Sequence, residues 1–136
     1  MQVLVRVVSV AYLLFLTLLL LTADPARMIG CDRVLPAWLR AVLPGAHLLS
    51  FLGLGVLVFV GKWSAPRWAL VLLLSAYGGL TEAVQGFVSR SPEWGDWFQD
   101  VAGVLIAAGL CWWIELLAAA RSEKRRLKRE QLRGAT

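Results

Sequence analysis

His47, Glu82, Gln85, Arg90, Asp96 and Asp100 are the side chains of this 136-residue chain whose types could do chemistry together. A histidine titrates near neutral pH, so it can serve as a general base or a nucleophile. A carboxylate such as Glu82 can orient that histidine or act as the acid. Arg90 carries a planar fork that can hold a phosphate through paired hydrogen bonds. Asp96 and Asp100 can share protons or bind a divalent cation. Their spacing of four is not a tight ligand motif such as Asp-x-Asp, and no motif specifies a cofactor or a resident metal. Each residue also has a plain structural reading. His47 would be an interfacial residue, Asp96 and Asp100 helix-capping charges favoured by the dipole, and Arg90 an interfacial anchor. Glu82 is the hardest to explain in that way, because a carboxylate inside an apolar run is costly to keep.

The elements that must position these groups read as membrane helices. Hydrophobic residues are 59% of the chain and charged residues only 17%, against about a quarter charged in a typical soluble domain. Four apolar runs cover residues 7–23, 46–60, 68–88 and 97–120. Each approaches the ~20 residues a helix needs to cross the hydrocarbon layer, the second being the shortest. Helix is the expected form, because lipid offers no partner to an unpaired backbone group. The first run follows Arg6 and resembles a signal peptide, but its core is long for an h-region and no clear cleavage site follows, so it reads as a retained helix. The fold class expected is therefore all-α, an integral membrane bundle of four transmembrane helices (residues 1–120) with a basic cytoplasmic extension (residues 121–136).

Basic residues set the orientation. Arg6, Lys62, Arg67 and the seven Lys and Arg after Ala120 make ten on one side; Arg27, Arg33, Arg40 and Arg90 make four on the other. The positive-inside rule then places both termini in the cytoplasm. Trp63, Trp68, Trp112 and Trp113 fall at the inner interface, and Trp38, Trp94 and Trp97 at the outer one. In the long first external loop, residues 36–43 could form a short interfacial helix ended by Pro44-Gly45. The basic tail should continue the last helix into water and attract anionic lipid, a better fit beside an apolar segment than a nucleic-acid role. Cys31 falls in a loop and Cys111 deep in an apolar run, so a disulfide between them is not expected.

Helical periodicity sorts the polar residues onto faces. On the third run Ser75, Gly78, Gly79, Glu82, Gln85, Gly86 and Ser89 share one side, with Leu73, Leu80, Val84 and Phe87 opposite. On the fourth, Asp96, Gln99, Asp100, Gly103 and Ala107 share a face, with Trp97, Val101, Leu105 and Trp112 covering the other side. His47, Ser50 and Leu54 lie together on the second. The predicted topology brings all six candidate site residues to the outer end. Small residues on these stripes allow close helix approach.

At these residues the chain resembles the VanZ-like family, named for an accessory protein of glycopeptide resistance linked to teicoplanin. The resemblance runs over residues 47–113 and rests on Glu82, Gln85, Phe87, Arg90, Asp96, Asp100 and Gly103 in order, preceded by His47. Two positions depart from the family pattern. Leu43-Pro44-Gly45 stands where the family often has Asp-Lys, and Asp100 where it often has Asn. The resemblance implies a cell-envelope membrane protein, in a group proposed to act on lipid phosphoesters or lipid-linked head groups. Its partners would be membrane lipids and a lipid-linked envelope precursor, not nucleic acid. Two functions stay open: an enzyme acting on such a head group at the outer leaflet, and a non-catalytic amphiphile-binding or accessory protein whose polar cluster is structural. Mapping by cysteine accessibility or reporter fusion tests the orientation. Positions near Thr136 are expected inside and those near Trp94 outside; an external tail would overturn it.

Overall fold

The structure, a computed structural model, describes residues 1–21, 45–87 and 94–134. Among these the chain is all-helical, with α1 (Gln2–Leu21), α2 (Ala46–Val60), α3 (Arg67–Gln85) and α4 (Trp94–Gly134) and no strand. The expected interfacial helix over residues 36–43, together with Cys31, Trp38, Ser89 and Arg90, lies outside the described residues. The apolar runs and the helices coincide closely for α2 and to within a few residues for α3. α1 begins earlier than its apolar core, and α4 continues without a break through the basic segment to Gly134.

Two of the helices, α1 and α4, are long and apolar enough to cross a membrane. α2 has 15 residues, which at 1.5 Å per residue spans only ~22 Å. α3 has 19, with Arg67 at its start and Glu82 near its end.

The central contact is α2 against α4, and it is made by glycine. A Cβ on Gly103 would stand 2.5 Å from the carbonyl oxygen of Leu48 and 2.8 Å from the amide nitrogen of Leu52, so the two backbones touch here. One turn along, a Cβ on Gly55 would lie 2.7 Å from that of Ala107. α3 packs on α4 through Gly78, where an added Cβ would meet Asp100 at 2.9 Å and Phe51 at 3.3 Å. Phe51, Leu54, Val104 and Ala107 form the fully buried middle of the bundle, joined by Leu16 and Leu20 of α1.

α1 is held at both ends. Arg6 donates from Nε to the carbonyl of Gly61 at 2.9 Å and from Nη2 to that of Lys62 at 2.6 Å, and its guanidinium lies over the Trp63 ring. This clasps the tight turn between α2 and α3, where Lys62 takes a left-handed φ of 46°. At the other end, Tyr77 bonds Thr17 at 2.8 Å; because the Thr17 hydroxyl donates to Leu13, the tyrosine is the donor. Arg67 pairs with Glu115 of α4 at 2.7 Å. Arg6, Lys62 and Arg67 thus come to one end of the bundle.

The outer surface is strongly apolar: Phe15 and Leu18 on α1, Leu72, Leu73 and Leu80 on α3, and Leu105, Leu110 and Ile114 on α4 are all exposed. Buried positions, by contrast, include Ser9, Thr81, Glu82, Gln85 and Asp100.

Because the obstacle at Gly103 is backbone, Gly103→Ala must push α2 and α4 apart. It is expected to destabilise the fold by ~1–3 kcal/mol. Gly109 has open space around its missing Cβ, so Gly109→Ala should be neutral or stabilising by ~0.5–1 kcal/mol through helix propensity. Unfolding of the two purified variants in detergent compares them directly. Equal stability would remove the close-contact argument.

Candidate functional site

Three helix ends build the site. α2 starts at Ala46 after Gly45, which supplies no side-chain cap, and places His47 in its first turn. α4 starts at Trp94 with Asp96 in its first turn, where the dipole favours negative charge, and Asp100 one turn further. α3 runs the opposite way and delivers Glu82 near its C-terminal end. The Gly103–Leu48 backbone contact lies beside His47 and one turn after Asp100, so the closest approach of the two helices also sets the spacing of these two side chains.

The imidazole of His47 is bracketed by carboxylates. Nδ1 lies 3.0 Å from Oδ1 of Asp100, and Nε2 lies 3.4 Å from Oδ2 of Asp96. The two acids are in different surroundings. Asp100 is 0% exposed and Asp96 22%, with His47 at 11% between them. Oδ1 of Asp96 also accepts from the amide of Gln99 at 3.4 Å. Glu82 is buried, at 5% exposure. His47, Glu82 and Asp100 each bring one potential ligand atom to within 4.8 Å of the others. Oδ2 of Asp100 has no hydrogen-bond partner among the described residues. It is directed at α3 beside Gly78, one turn before Glu82.

Chemically, this is a histidine with both ring nitrogens engaged by acids. Both contacts are filled at once by the doubly protonated ring; removing one proton frees one nitrogen while a carboxylate still orients the other. Such a centre can accept and return a proton, or exchange the proton for a metal ion.

Of the residues singled out from sequence, the structure brings His47, Glu82, Asp96 and Asp100 together. Gln85 goes elsewhere. Its amide donates to the carbonyl of Leu20 at 3.1 Å, a contact 1% exposed at the residue, so it ties α3 to the C-terminal end of α1. Arg90 lies outside the described residues. Trp97, placed by periodicity on the face away from the polar stripe, is half-buried instead. Its indole lies near Gly79 and donates to the carbonyl of Ser75 at 3.0 Å. An indole N–H packed into a bundle needs an acceptor, and α3 supplies one. Thr81 was missed; it is buried beside Glu82, with its hydroxyl satisfied by the carbonyl of Gly78 at 2.8 Å. Its position next to Glu82, one off the polar stripe, gave no signal.

No protein-family model, curated protein or solved structure matches the chain.

The Gln85 contact predicts a structural role that is separable from the cluster. Gln85→Leu removes the donor to Leu20 and should cost about 1 kcal/mol of stability. The single histidine resonance of the 15N-histidine-labelled protein should stay in place, because His47 has other partners. A shift of that resonance would show Gln85 coupled to the cluster after all.

Proposed function

We propose that the chain is a four-span membrane protein of the VanZ-like type that acts on the phosphate-bearing head group of a lipid or lipid-linked envelope precursor at the outer leaflet of the cytoplasmic membrane. The observation that carries this reading is the His47–Asp96–Asp100–Glu82 cluster, buried at one end of an otherwise apolar bundle. Membrane placement is supported by the inverted polarity of the chain: apolar side chains cover the outside while carboxylates and amides lie within. α1 and α4 are long and apolar enough to span; in this reading α2 and α3, packed between them, complete the four. The gathering of Arg6, Lys62 and Arg67 at the end away from the cluster, and the seven basic residues of the tail, favour cytoplasmic termini and an outward-facing site. The tail is then a cytoplasmic helix beside anionic head groups.

In this reading His47 is the general base. Asp100, fully buried, holds Nδ1, and the ring works through Nε2, on the side shared with the partly exposed Asp96. The attacking water or hydroxyl gives its proton to Nε2, and the imidazolium so formed is stabilised by both acids. Glu82 supplies the acid for the departing group, and Arg90 grips the phosphate through its fork. A link to glycopeptide resistance follows from the resemblance over residues 47–113.

A second reading has its own support. Gln85 and Tyr77 spend their hydrogen bonds on joining α3 to α1. Polar side chains in this bundle therefore also serve as glue, and a non-catalytic amphiphile-binding or accessory protein would need the cluster only for that.

Lipid profiling of a host strain lacking the gene, complemented with variants, separates the two. His47→Ala and Glu82→Gln should each lose the wild-type lipid profile by tenfold or more while protein abundance stays near normal. Glu82→Gln keeps the shape and the cross-helix hydrogen bonding, so glue alone would tolerate it. Arg90→Lys should also impair, because an ammonium lacks the fork. A wild-type profile in all three variants at normal abundance would leave only the second reading.

A further inference from the structure

The geometry points to a divalent metal site formed by His47 Nδ1, Asp100 and Glu82, selective for Zn2+. One ligand atom from each residue lies within 4.8 Å of the other two, and the residues come from three different helices. Tetrahedral ligands at ~2.0–2.2 Å from an ion stand about 3.4 Å apart. His47 and Asp100 already meet at 3.0 Å. Rotation of the three-torsion Glu82 side chain through roughly 1 Å completes the triangle, with the fourth position open as in catalytic sites.

Two further observations point to an ion rather than to a set of hydrogen bonds. Asp100 is fully buried, yet its Oδ2 has no hydrogen-bond partner among the described residues and is directed toward α3, the helix that carries Glu82. A buried carboxylate oxygen without a partner is costly, and a cation satisfies it. The second concerns the far side of the ring. Nε2 faces Asp96 at 3.4 Å, so with an ion on Nδ1 the ring keeps its proton on Nε2 and directs it at that carboxylate. A carboxylate on the distal nitrogen is the usual outer support of a metal-bound histidine. One proton, between Nδ1 and Asp100, is exchanged for the ion, and two carboxylates with a neutral imidazole offset its charge. An imidazole nitrogen among the ligands favours Zn2+ over Mg2+, Ca2+ or Mn2+, which suit oxygen ligands.

The assignment does not rest on the head-group reading; an ion that only ties the three helices would use the same ligands. Where both hold, His47 serves as a ligand, and the attacking water is activated on the ion instead of by the ring.

The test uses the full chain in nanodiscs, purified without a polyhistidine tag. His47 is the only histidine of the chain, so 15N-histidine labelling reports on this ring alone. Addition of 113Cd2+ should split the Nδ1 resonance and leave Nε2 a protonated singlet. Equilibrium dialysis against Zn2+ should give one ion per chain, with affinity falling tenfold or more in Asp100→Asn and in Glu82→Gln. Glu123→Gln, in the exposed basic segment, should bind as wild type. Absence of stoichiometric Zn2+, a ring spectrum unmoved by Cd2+, or full affinity in Asp100→Asn would each overturn the site. The spectrum of the wild-type protein decides even if the variants fail to fold. Metal binding with an unchanged lipid profile in the deletion strain would retain the site and reject the head-group reading.

Discussion

The position of Asp100 constrains the rest of the bundle. A carboxylate with no exposure, on a helix that is apolar for the two turns after it, must be offset from within the protein. The offset comes from His47, and His47 can reach Asp100 only if α2 and α4 approach to backbone contact. That approach needs a glycine at position 103, facing Leu48 and Leu52, and a second one at 78, where a side chain would occupy the space Asp100 and Phe51 fill. The small residues of the bundle are thus placed where the acid requires them. Packing and site geometry are one arrangement, and a change that loosens the helices also separates the histidine from its acid.

Much of this was legible in the sequence because helical periodicity is a strong signal. The stripe containing Gly78, Glu82 and Gln85 on α3, and the one containing Asp96, Asp100, Gly103 and Ala107 on α4, do face inward. The bounds of α2 coincide with its apolar run, since Gly45 and Gly61 close it at both ends. Periodicity gives a face, however, and not the neighbour that covers it. Gln85 shares the stripe of Glu82 but lies far enough along α3 to meet Leu20 of α1, whose carbonyl accepts its amide. Periodicity puts Trp97 on the face away from the polar stripe, but its N–H has to find an acceptor and Ser75 offers one. The continuation of α4 past its apolar run was legible from composition. Hydropathy stops at the charges after Ala120, but Glu, Lys, Arg, Leu and Gln are all good helix formers and give the backbone no cause to end.

The polarity of the molecule is inverted relative to a soluble bundle. Leucines and valines cover the outside of α1, α3 and α4, while Ser9, Thr81, Glu82, Gln85 and Asp100 lie inside. Two of these inner polar groups are satisfied by short-range devices. Ser9 and Thr81 donate to carbonyls of their own helices, three or four residues back. Such bonds need no tertiary partner. The cluster at the other helix ends is different, because His47 and its acids depend on one another across helices. Local satisfaction keeps the inner faces tolerable, and cross-helix bonds such as those of Gln85 and Tyr77 join α3 to α1 away from the cluster.

α4 carries Asp96 and Asp100 in its first two turns and runs 41 residues without a proline or a break, a rod of ~60 Å at 1.5 Å per residue. Its far end is exposed, and the last ion pair joining it to another helix among the described residues is Arg67–Glu115. That pair lies about halfway along, so the helix is supported over its first half only. A lever held in this way converts angle into distance. A tilt of about 5° at the acid-bearing end displaces a point ~60 Å away by about 5 Å, roughly the width of a side chain. Any tilt of α4 within the bundle is therefore carried to its basic end, because the helix has no joint in between to absorb the motion.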